Sequence, residues 1–326
     1  MTVKRELLFL ASCCACLGWF FGACGDQAPG DGSSGTDGDT DGDTDGDTDG
    51  DTDGDTDGDT DGDTDGDTDG DTDGDTDADS CRKVDVVIAV DGSGSMTEEL
   101  VAMRQDVFPA FADQLAEIGV GLDNFRIATL DACPDPADFH TVDSFGTDCG
   151  FSSGEVWIDS ASPNMDAEFA CVGDIYLGGL NCTTDNDDEQ PACSSVTALE
   201  PPYLDDQNDG FLRDDALLVV IAITDEDEHP TLAGLETAAE IYARLVAIKG
   251  DVDREVFLGI GGGTGGCTDG AYGSAEEAAL LHELTQLFID QERGVWWDLC
   301  AGALEDGLGA AFTVIEEACD EFTPIE

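Results

Sequence analysis

Three oxygen-bearing side chains, Asp91, Ser93 and Ser95, stand at alternate positions and are separated only by glycines. Because glycine restricts the backbone so little, this segment can curl until the three side-chain oxygens converge. Carboxylate and hydroxyl oxygens are the ligands that hard divalent cations prefer, whereas zinc favours histidine and cysteine. The segment therefore predicts a site for Mg²⁺, with Mn²⁺ or Ca²⁺ as alternatives.

A second group of oxygen ligands, Thr224 and the acidic residues Asp225 to Glu228, stands at the end of another apolar segment. Residues 216–224 read ALLVVIAIT, and residues 84–90, just before Asp91, are similarly apolar. Both segments are typical of strands that are buried on both faces of a sheet. Ligands of open α/β sheets bind where such strands end, so we expect Asp225 to complete the site.

Strands and helices are expected to alternate along residues 81–326. The expected strands are 84–90, 124–130, 155–159, 216–224, 255–260 and 295–299, and the expected helices are 97–118, 165–172, 192–199, 232–248, 274–290 and 301–319. Such alternation covers a parallel sheet with helices on both sides. The sequence thus predicts an α/β domain with a doubly wound, mostly parallel sheet and helices on both faces.

These motifs resemble the von Willebrand factor A (VWA) domain family over about residues 82–320. Asp91, Ser93 and Ser95 match the family's Asp-x-Ser-x-Ser motif after its first strand, and Asp225 matches the aspartate of its third metal loop. The resemblance implies a metal-ion-dependent adhesion site. In such a site the serines bind the cation directly, the aspartates bind mostly through water, and one position stays open for a partner's carboxylate.

The chain departs from the VWA pattern at two places. Glu226 stands where the family usually has glycine after the third-loop aspartate. The family's middle threonine has only a loose counterpart in the segment GGLNCTTDNDDEQ, where Thr183 or Thr184 could serve. We take Thr183 as the fifth candidate ligand, next to Asp91, Ser93, Ser95 and Asp225.

Other interpretations of the same residues remain open at this stage. Ser95 with Glu98 forms a helix capping box, and Asp91-Gly92 is compatible with an ordinary turn. A metal-dependent hydrolase would use Asp225 and Asp227 as ligands, and a structural envelope protein would carry only a vestigial site. The glycine pattern in residues 259–266 suggests dinucleotide binding only weakly, because no basic residue is near it.

The charge of the chain limits its partners. Seventy-six acidic and 11 basic side chains give a formal net charge of -65, which excludes nucleic acid as a direct partner. A divalent cation would reverse the sign locally and attract a carboxylate. We therefore expect the partner to be another protein or an extracellular matrix component that offers an acidic side chain, and we expect no catalytic activity.

Residues 1–23 have the features of a lipoprotein-type signal peptide. Lys4 and Arg5 precede an apolar stretch at 7–21, and small residues lead to Cys24, as in the lipobox of bacterial lipoproteins. We expect Cys24 to be lipidated, with Cys13 as the alternative. The lipid is then the only attachment to a membrane, and the protein is displayed at the cell envelope, on the outer membrane or cell surface; simple secretion is the alternative.

Residues 24–80 form a linker that is dominated by an Asp-Thr-Asp-Gly repeat. Such a segment repels itself and cannot bury a core, so it predicts a disordered, extended tether. The repeat fits the first half of a calcium-binding EF-hand loop, but Thr48 stands where that loop needs glutamate. Weak Ca²⁺ binding by the repeat is therefore the alternative to a plain tether.

Nine cysteines lie within residues 81–326, and no two of them form a CxxC pair. Scattered cysteines in an exported protein usually form disulfides. We expect Cys81 to bond with Cys319, Cys133 with Cys149, and Cys267 with Cys300. Three further cysteines, Cys171, Cys182 and Cys193, would then leave one free thiol.

Overall fold

The structure, a computed structural model, describes residues 83–108, 110–111, 114, 124–175, 189–230 and 234–322. The predictions for residues 1–80, including the signal peptide, Cys24 and the acidic repeat, lie outside the described residues, as do Cys81 and Thr183. Within the described part of the chain, no helix combines the length and apolar character that crossing a membrane requires.

Six strands form one central sheet, and two more form a separate hairpin. The strands are β1 (Lys83–Val90), β2 (Asn124–Asp131), β3 (Ile158–Asp159), β4 (Leu217–Ile223), β5 (Glu255–Gly261), β6 (Cys267–Gly270), β7 (Gly273–Ala275) and β8 (Gly294–Asp298). The order in the sheet is β3-β2-β1-β4-β5-β8, and every pairing is parallel except that of β3 with β2. From β1 the chain first adds strands toward one edge of the sheet (β2, β3) and then toward the other (β4, β5, β8), a reversal that is typical of doubly wound folds.

Helices cover both faces of this sheet. They are α1 (Thr97–Ala102), which continues as a π-helical turn (Met103–Val107), α2 (Met165–Val172), α3 (Pro191–Ala198), α4 (Ala238–Lys249), α5 (Ala279–Ile289) and α6 (Leu304–Glu321). Alternate strand residues pack on α1, α2 and α6 on one face and on α3, α4 and α5 on the other. Burial on both faces explains why β1 and β4 are almost wholly apolar.

The predicted architecture is confirmed, and the corrections concern the ends of elements. The helix expected from residue 232 begins at Ala238, because Thr237 caps it: Thr237 Oγ1 accepts from Glu240 N at 3.3 Å and donates to Glu240 Oε2 at 2.8 Å. The helix expected from residue 274 begins at Ala279, because residues 273–275 pair with β6 instead. The third strand has two residues rather than five.

The helix expected over residues 97–118 is regular only as far as Ala102 before its π-helical turn. Its predicted end lies outside the described residues. The helix expected from residue 301 begins at Leu304, because Leu299–Ala301 forms a 3₁₀ turn. Asp298 caps that turn by accepting from Cys300 N at 2.9 Å.

Two disulfides join pairs of cysteines within the described residues. Cys267 bonds with Cys300, as predicted, and joins the β6–β7 hairpin to the turn after β8. Cys149 bonds with Cys171, so the predicted pair of Cys133 with Cys149 is wrong. Cys133 and Cys319 each take part in a disulfide as well. Cys193 is a buried free thiol. The loop that carries Cys149 packs against α2, where Cys171 lies, and sequence spacing does not reveal this contact.

Acidic side chains are also buried at the other end of the strands, where β1 and β5 begin. Arg213 donates from its backbone N and from Nε to the two oxygens of Asp85 at 2.8 Å each. Glu255, at the start of β5, is fully buried, and neither of its carboxyl oxygens has a hydrogen-bond partner. Burial raises the pKa of Glu255 to about 8, although Lys249 opposes the shift.

The raised pKa of Glu255 predicts that stability falls as pH rises. A folded-state pKa of about 8 against the ordinary 4.5 means that the carboxyl stabilises the fold fully below pH 4.5 and loses that contribution as pH approaches 8. Each unit of pKa displacement corresponds to about 1.4 kcal/mol. Glu255→Gln should therefore increase the free energy of unfolding, measured with denaturant, more at pH 8 than at pH 5. Exposed Glu283→Gln is the control, and an equal effect of Glu255→Gln at both pH values would contradict the prediction.

Candidate metal centre

The candidate site lies where the neighbouring strands β1 and β4 end. The two strands are paired in parallel with Val90 opposite Ile223, so Asp91 and Thr224 both leave the sheet at the same edge. Asp91 N donates to Ile223 O at 2.8 Å, and Thr224 N donates to Ile260 O at 3.1 Å. The strand pairing therefore brings the two predicted metal loops together.

Four of the predicted ligands form one connected cluster. Asp91 Oδ1 accepts from Ser93 N at 2.7 Å, and Ser93 Oγ lies 2.7 Å from Ser95 Oγ. Ser95 Oγ in turn donates to Asp225 Oδ1 at 3.1 Å. Asp91 and Asp225 are buried and Ser95 is exposed, so the cluster opens to solvent on the serine side. The geometry is that of a shallow cup lined with oxygen atoms.

Burial and mutual repulsion make it costly to ionise the carboxyl groups in and around this cup. Burial raises the pKa of Asp91 to about 8, and the nearby Asp225 carboxylate adds to the effect. Burial also raises the pKa of Asp225, and Glu226 contributes by repulsion. The pKa of Glu99 is raised to about 7 by burial and by Asp225. Three carboxyl groups therefore favour a positive charge among them.

The donor set fits a hard divalent cation. The cluster offers carboxyl and hydroxyl oxygens, which suit Mg²⁺, Mn²⁺ or Ca²⁺. One further oxygen nearby, Glu99 Oε2, is buried without a hydrogen-bond partner. Buried polar atoms of this kind need a partner, and a cation or its bound water would provide one. The residues that would hold the ion are Asp91, Ser93, Ser95 and Asp225.

Thr224 is a site residue that was not among the predicted metal ligands. Its buried hydroxyl donates to Asp91 Oδ2 at 2.8 Å and accepts from Glu226 N at 3.1 Å, so it links the two loops. The available signal was a polar residue at the end of the otherwise apolar β4. The predicted ligand Thr183 lies outside the described residues.

Two alternatives from the sequence do not match the geometry. Ser95 does not cap α1, which has no side-chain cap; its hydroxyl faces Asp225 instead. Asp227, the ligand that a hydrolase would need, accepts from Leu280 N at 2.8 Å and from Leu281 N at 3.3 Å. The Asp227 carboxylate therefore caps α5, where the helix dipole also favours it.

The glycine-rich segment that ends β5 and continues after it serves close packing. A Cβ atom on Gly262 would lie 1.7 Å from Glu276 O, and one on Gly259 would lie 2.1 Å from Thr285 Oγ1. The packed segment places Glu276 N within 2.7 Å of Asp225 O, where it donates a hydrogen bond. These glycines thus hold the loop of Asp225 in place, and they do not form a phosphate cradle that opens a helix.

An open cavity of about 760 Å³ adjoins the oxygen cup. Its lining residues come from the two metal loops and from the β6–β7 hairpin: Ser95, Asp225, Glu226, Gly265, Gly266, Cys267, Thr268, Ser274, Ala275, Glu276 and Glu277. Because Cys267 is bonded to Cys300, a disulfide fixes the outer wall of the cavity. A partner side chain therefore has room to approach the cup.

No family model matches the chain, and no curated protein matches it. Solved structures that are similar to the chain include three at 14% identity. Manganese-loaded TRAP protein from Plasmodium vivax aligns over 73% of this chain and 74% of that chain, with a TM-score of 0.37. Proximal thread matrix protein 1 from the mussel byssus, in crystal form 2, aligns over 71% of this chain and 48% of that chain, with a TM-score of 0.38.

The third structure is the same mussel protein with a zinc-occupied MIDAS motif. It aligns over 73% of this chain and 46% of that chain, again with a TM-score of 0.38. The chain thus spans about half the length of the mussel protein.

Repulsion within the cup predicts opposite effects of Asp225→Asn with and without metal. At pH 8 in EDTA the variant should melt at a higher temperature than the parent, because one of the mutually repelling carboxylates is neutralised. In Mg²⁺ it should gain less stability than the parent, because a ligand charge is lost. Differential scanning calorimetry checks both signs, with exposed Asp269→Asn as the control. A lower melting temperature in EDTA would contradict this account of the cup.

Proposed function

We propose that this chain is a metal-ion-dependent protein-binding module of the VWA type. The observation that carries the proposal is the cup of Asp91, Ser93, Ser95 and Asp225 beside an open cavity. The cup is placed at the carboxyl ends of two adjacent parallel strands, where ligands of α/β sheets bind. Mg²⁺ is the preferred ion, with Mn²⁺ or Ca²⁺ as alternatives.

The residues in and behind the cup have different roles in the proposed binding. When bound, the cation supplies a positive charge and an open coordination position. The exposed Ser95 lines the cavity, and its hydroxyl lies beside that of half-buried Ser93, so both hydroxyls are available to an ion on the open side of the cup. Thr224 and Ser93 N orient the two oxygens of Asp91 from behind. A partner would contribute a glutamate or aspartate carboxylate through the cavity, and it would be a protein or a matrix component.

We propose binding and not catalysis as the role of this site. The hydrolase alternative needs Asp227 at the ion, and the Asp227 carboxylate is already engaged at the start of α5. A structural protein with a vestigial site remains the second alternative, and it is separated from our proposal by whether ions stabilise the fold.

For the location we propose display at the bacterial cell envelope through a lipid on Cys24, with the acidic repeat as the tether. Cys24→Ser should convert a membrane-bound protein into a soluble one, with Cys13→Ser as the matched control. Membrane fractionation and mass spectrometry of the mature N-terminus provide the readout. If neither cysteine is lipidated, the protein is secreted; if only Cys13→Ser releases it, the anchor is misassigned.

The metal-binding proposal predicts an ion-dependent melting temperature. Mg²⁺ or Mn²⁺ should stabilise the parent chain relative to EDTA, by about 2.7 kcal/mol when the free ion is at a hundredfold excess over its dissociation constant. Asp91→Ala should abolish this shift, because the ion loses the buried ligand at the base of the cup. Thermal unfolding of the full chain measures the effect.

Asp131→Ala is the matched control for Asp91→Ala. Asp131 also lies at the end of a strand, and its Oδ1 accepts from the backbone N two residues later, as Asp91 Oδ1 does. This variant should lower the melting temperature but keep the ion-dependent shift. An unchanged shift in Asp91→Ala, or no shift in the parent, would overturn the metal-binding proposal and leave a structural protein.

A further inference from the structure

A second group of possible metal ligands lies beyond the cup, along the same loop after β4. One ligand atom from each of Glu189, Glu226 and His229 lies within 4.8 Å of the others. Glu189 comes from the segment before α3, whereas Glu226 and His229 follow Asp225. Two separate parts of the described chain therefore contribute to this cluster.

Two of these residues are held together tightly. His229 Nδ1 lies 3.0 Å from Glu189 Oε2, and His229 N donates to Glu189 O at 3.0 Å. Two ligand atoms that bind a tetrahedral zinc ion at about 2.1 Å are themselves about 3.4 Å apart, so this pair needs to open by only about 0.4 Å to hold such an ion. The side chain of Glu189 is 10% exposed and that of His229 is 53% exposed, so the pair is anchored on one side and open on the other.

The backbone that carries the cluster is fixed on both sides. Glu226 N donates to Thr224 Oγ1 at 3.1 Å, which ties it to the base of the cup. Glu228, which lies between Glu226 and His229 in the sequence, is buried. Its carboxylate accepts from Ala192 N at 3.0 Å and from Cys193 N at 2.9 Å. These bonds dock the loop on the start of α3, which begins two residues after Glu189, so the three ligand residues share a rigid frame.

An ion pair between His229 and Glu189 explains only two of the three residues. One imidazole needs one carboxylate, and a second carboxylate from Glu226 adds repulsion in a region that already contains Asp225. A divalent cation accommodates both carboxylates and the imidazole together. One nitrogen and two oxygen ligands with an open side are typical of Zn²⁺ and related transition ions, whereas Mg²⁺ rarely accepts imidazole.

We propose that Glu189, Glu226 and His229 form a second metal site that takes a transition ion of the zinc class. This site is distinct from the oxygen cup in its donor chemistry, since the cup offers oxygen ligands only. It does not depend on the proposed adhesion function, and it gives Glu226, which stands where a VWA domain usually has glycine, a role as a ligand.

Cobalt absorption tests this site, because Co²⁺ bound through nitrogen and oxygen gives visible bands that report its ligands. The full chain is titrated with Co²⁺ and with Zn²⁺ at pH 7.5 in saturating Mg²⁺, and bound metal is counted by equilibrium dialysis. The parent should show one Co²⁺ with a visible spectrum that Zn²⁺ displaces. His229→Ala should lose that ion and its spectrum, and Glu226→Gln should weaken its binding at least tenfold.

Two further variants keep the second site separable from the cup. Asp91→Ala should retain the cobalt spectrum, because the residues of the second site are untouched; its loss there would mean that cobalt binds in the cup. His282→Ala removes another exposed imidazole and should change nothing. Since all variants carry the same acidic repeat, ions bound by the repeat are common to all. Unchanged stoichiometry and spectrum in both His229→Ala and Glu226→Gln, with circular dichroism confirming that they fold, would overturn the proposal.

Discussion

The parallel pairing of β1 with β4 forces two acidic side chains into one buried space. Val90 and Ile223 are register partners, so the strand pairing fixes Asp91 and Asp225 close to each other just beyond the sheet. Desolvation and repulsion raise the pKa of both carboxyls, and hydrogen bonds from Ser93, Ser95 and Thr224 offset only part of that cost. The folded domain therefore carries an unfavourable interaction where these two strands end, and a divalent cation there would reverse the sign of the local charge.

The loop after β4 shows how one acidic run can serve several purposes. Asp225 faces the cup, Asp227 caps α5, and Glu228 caps the start of α3. Two of the four carboxylates are therefore used to fix the loop between helices on the same face of the sheet. This fixation is what allows Asp225 and Glu226 to hold unfavourable positions, because the loop cannot move them apart without breaking the caps.

Sequence patterns predicted the sheet well because buried parallel strands are apolar on both faces, and β1, β4 and β5 need no other signal. They also predicted the cup, since Asp91, Ser93, Ser95 and Asp225 directly follow those strands. They failed where a long-range contact decided the outcome. Helix α5 begins later than predicted because residues 273–275 pair with β6. Cys149 bonds with Cys171, and the Thr224 hydroxyl bonds with Asp91; both contacts join residues that are distant in the sequence.

We propose that a hard cation binds among Asp91, Ser93, Ser95 and Asp225. Anomalous diffraction from crystals grown with Mn²⁺ tests it most directly, because the signal locates the ion without reference to its effect on stability. We expect a manganese peak within about 2.2 Å of a hydroxyl oxygen of Ser93 or Ser95, with Asp91 and Asp225 in contact directly or through water. A fully occupied peak elsewhere on the domain, with ordinary water hydrogen-bonded in the cup, would contradict it.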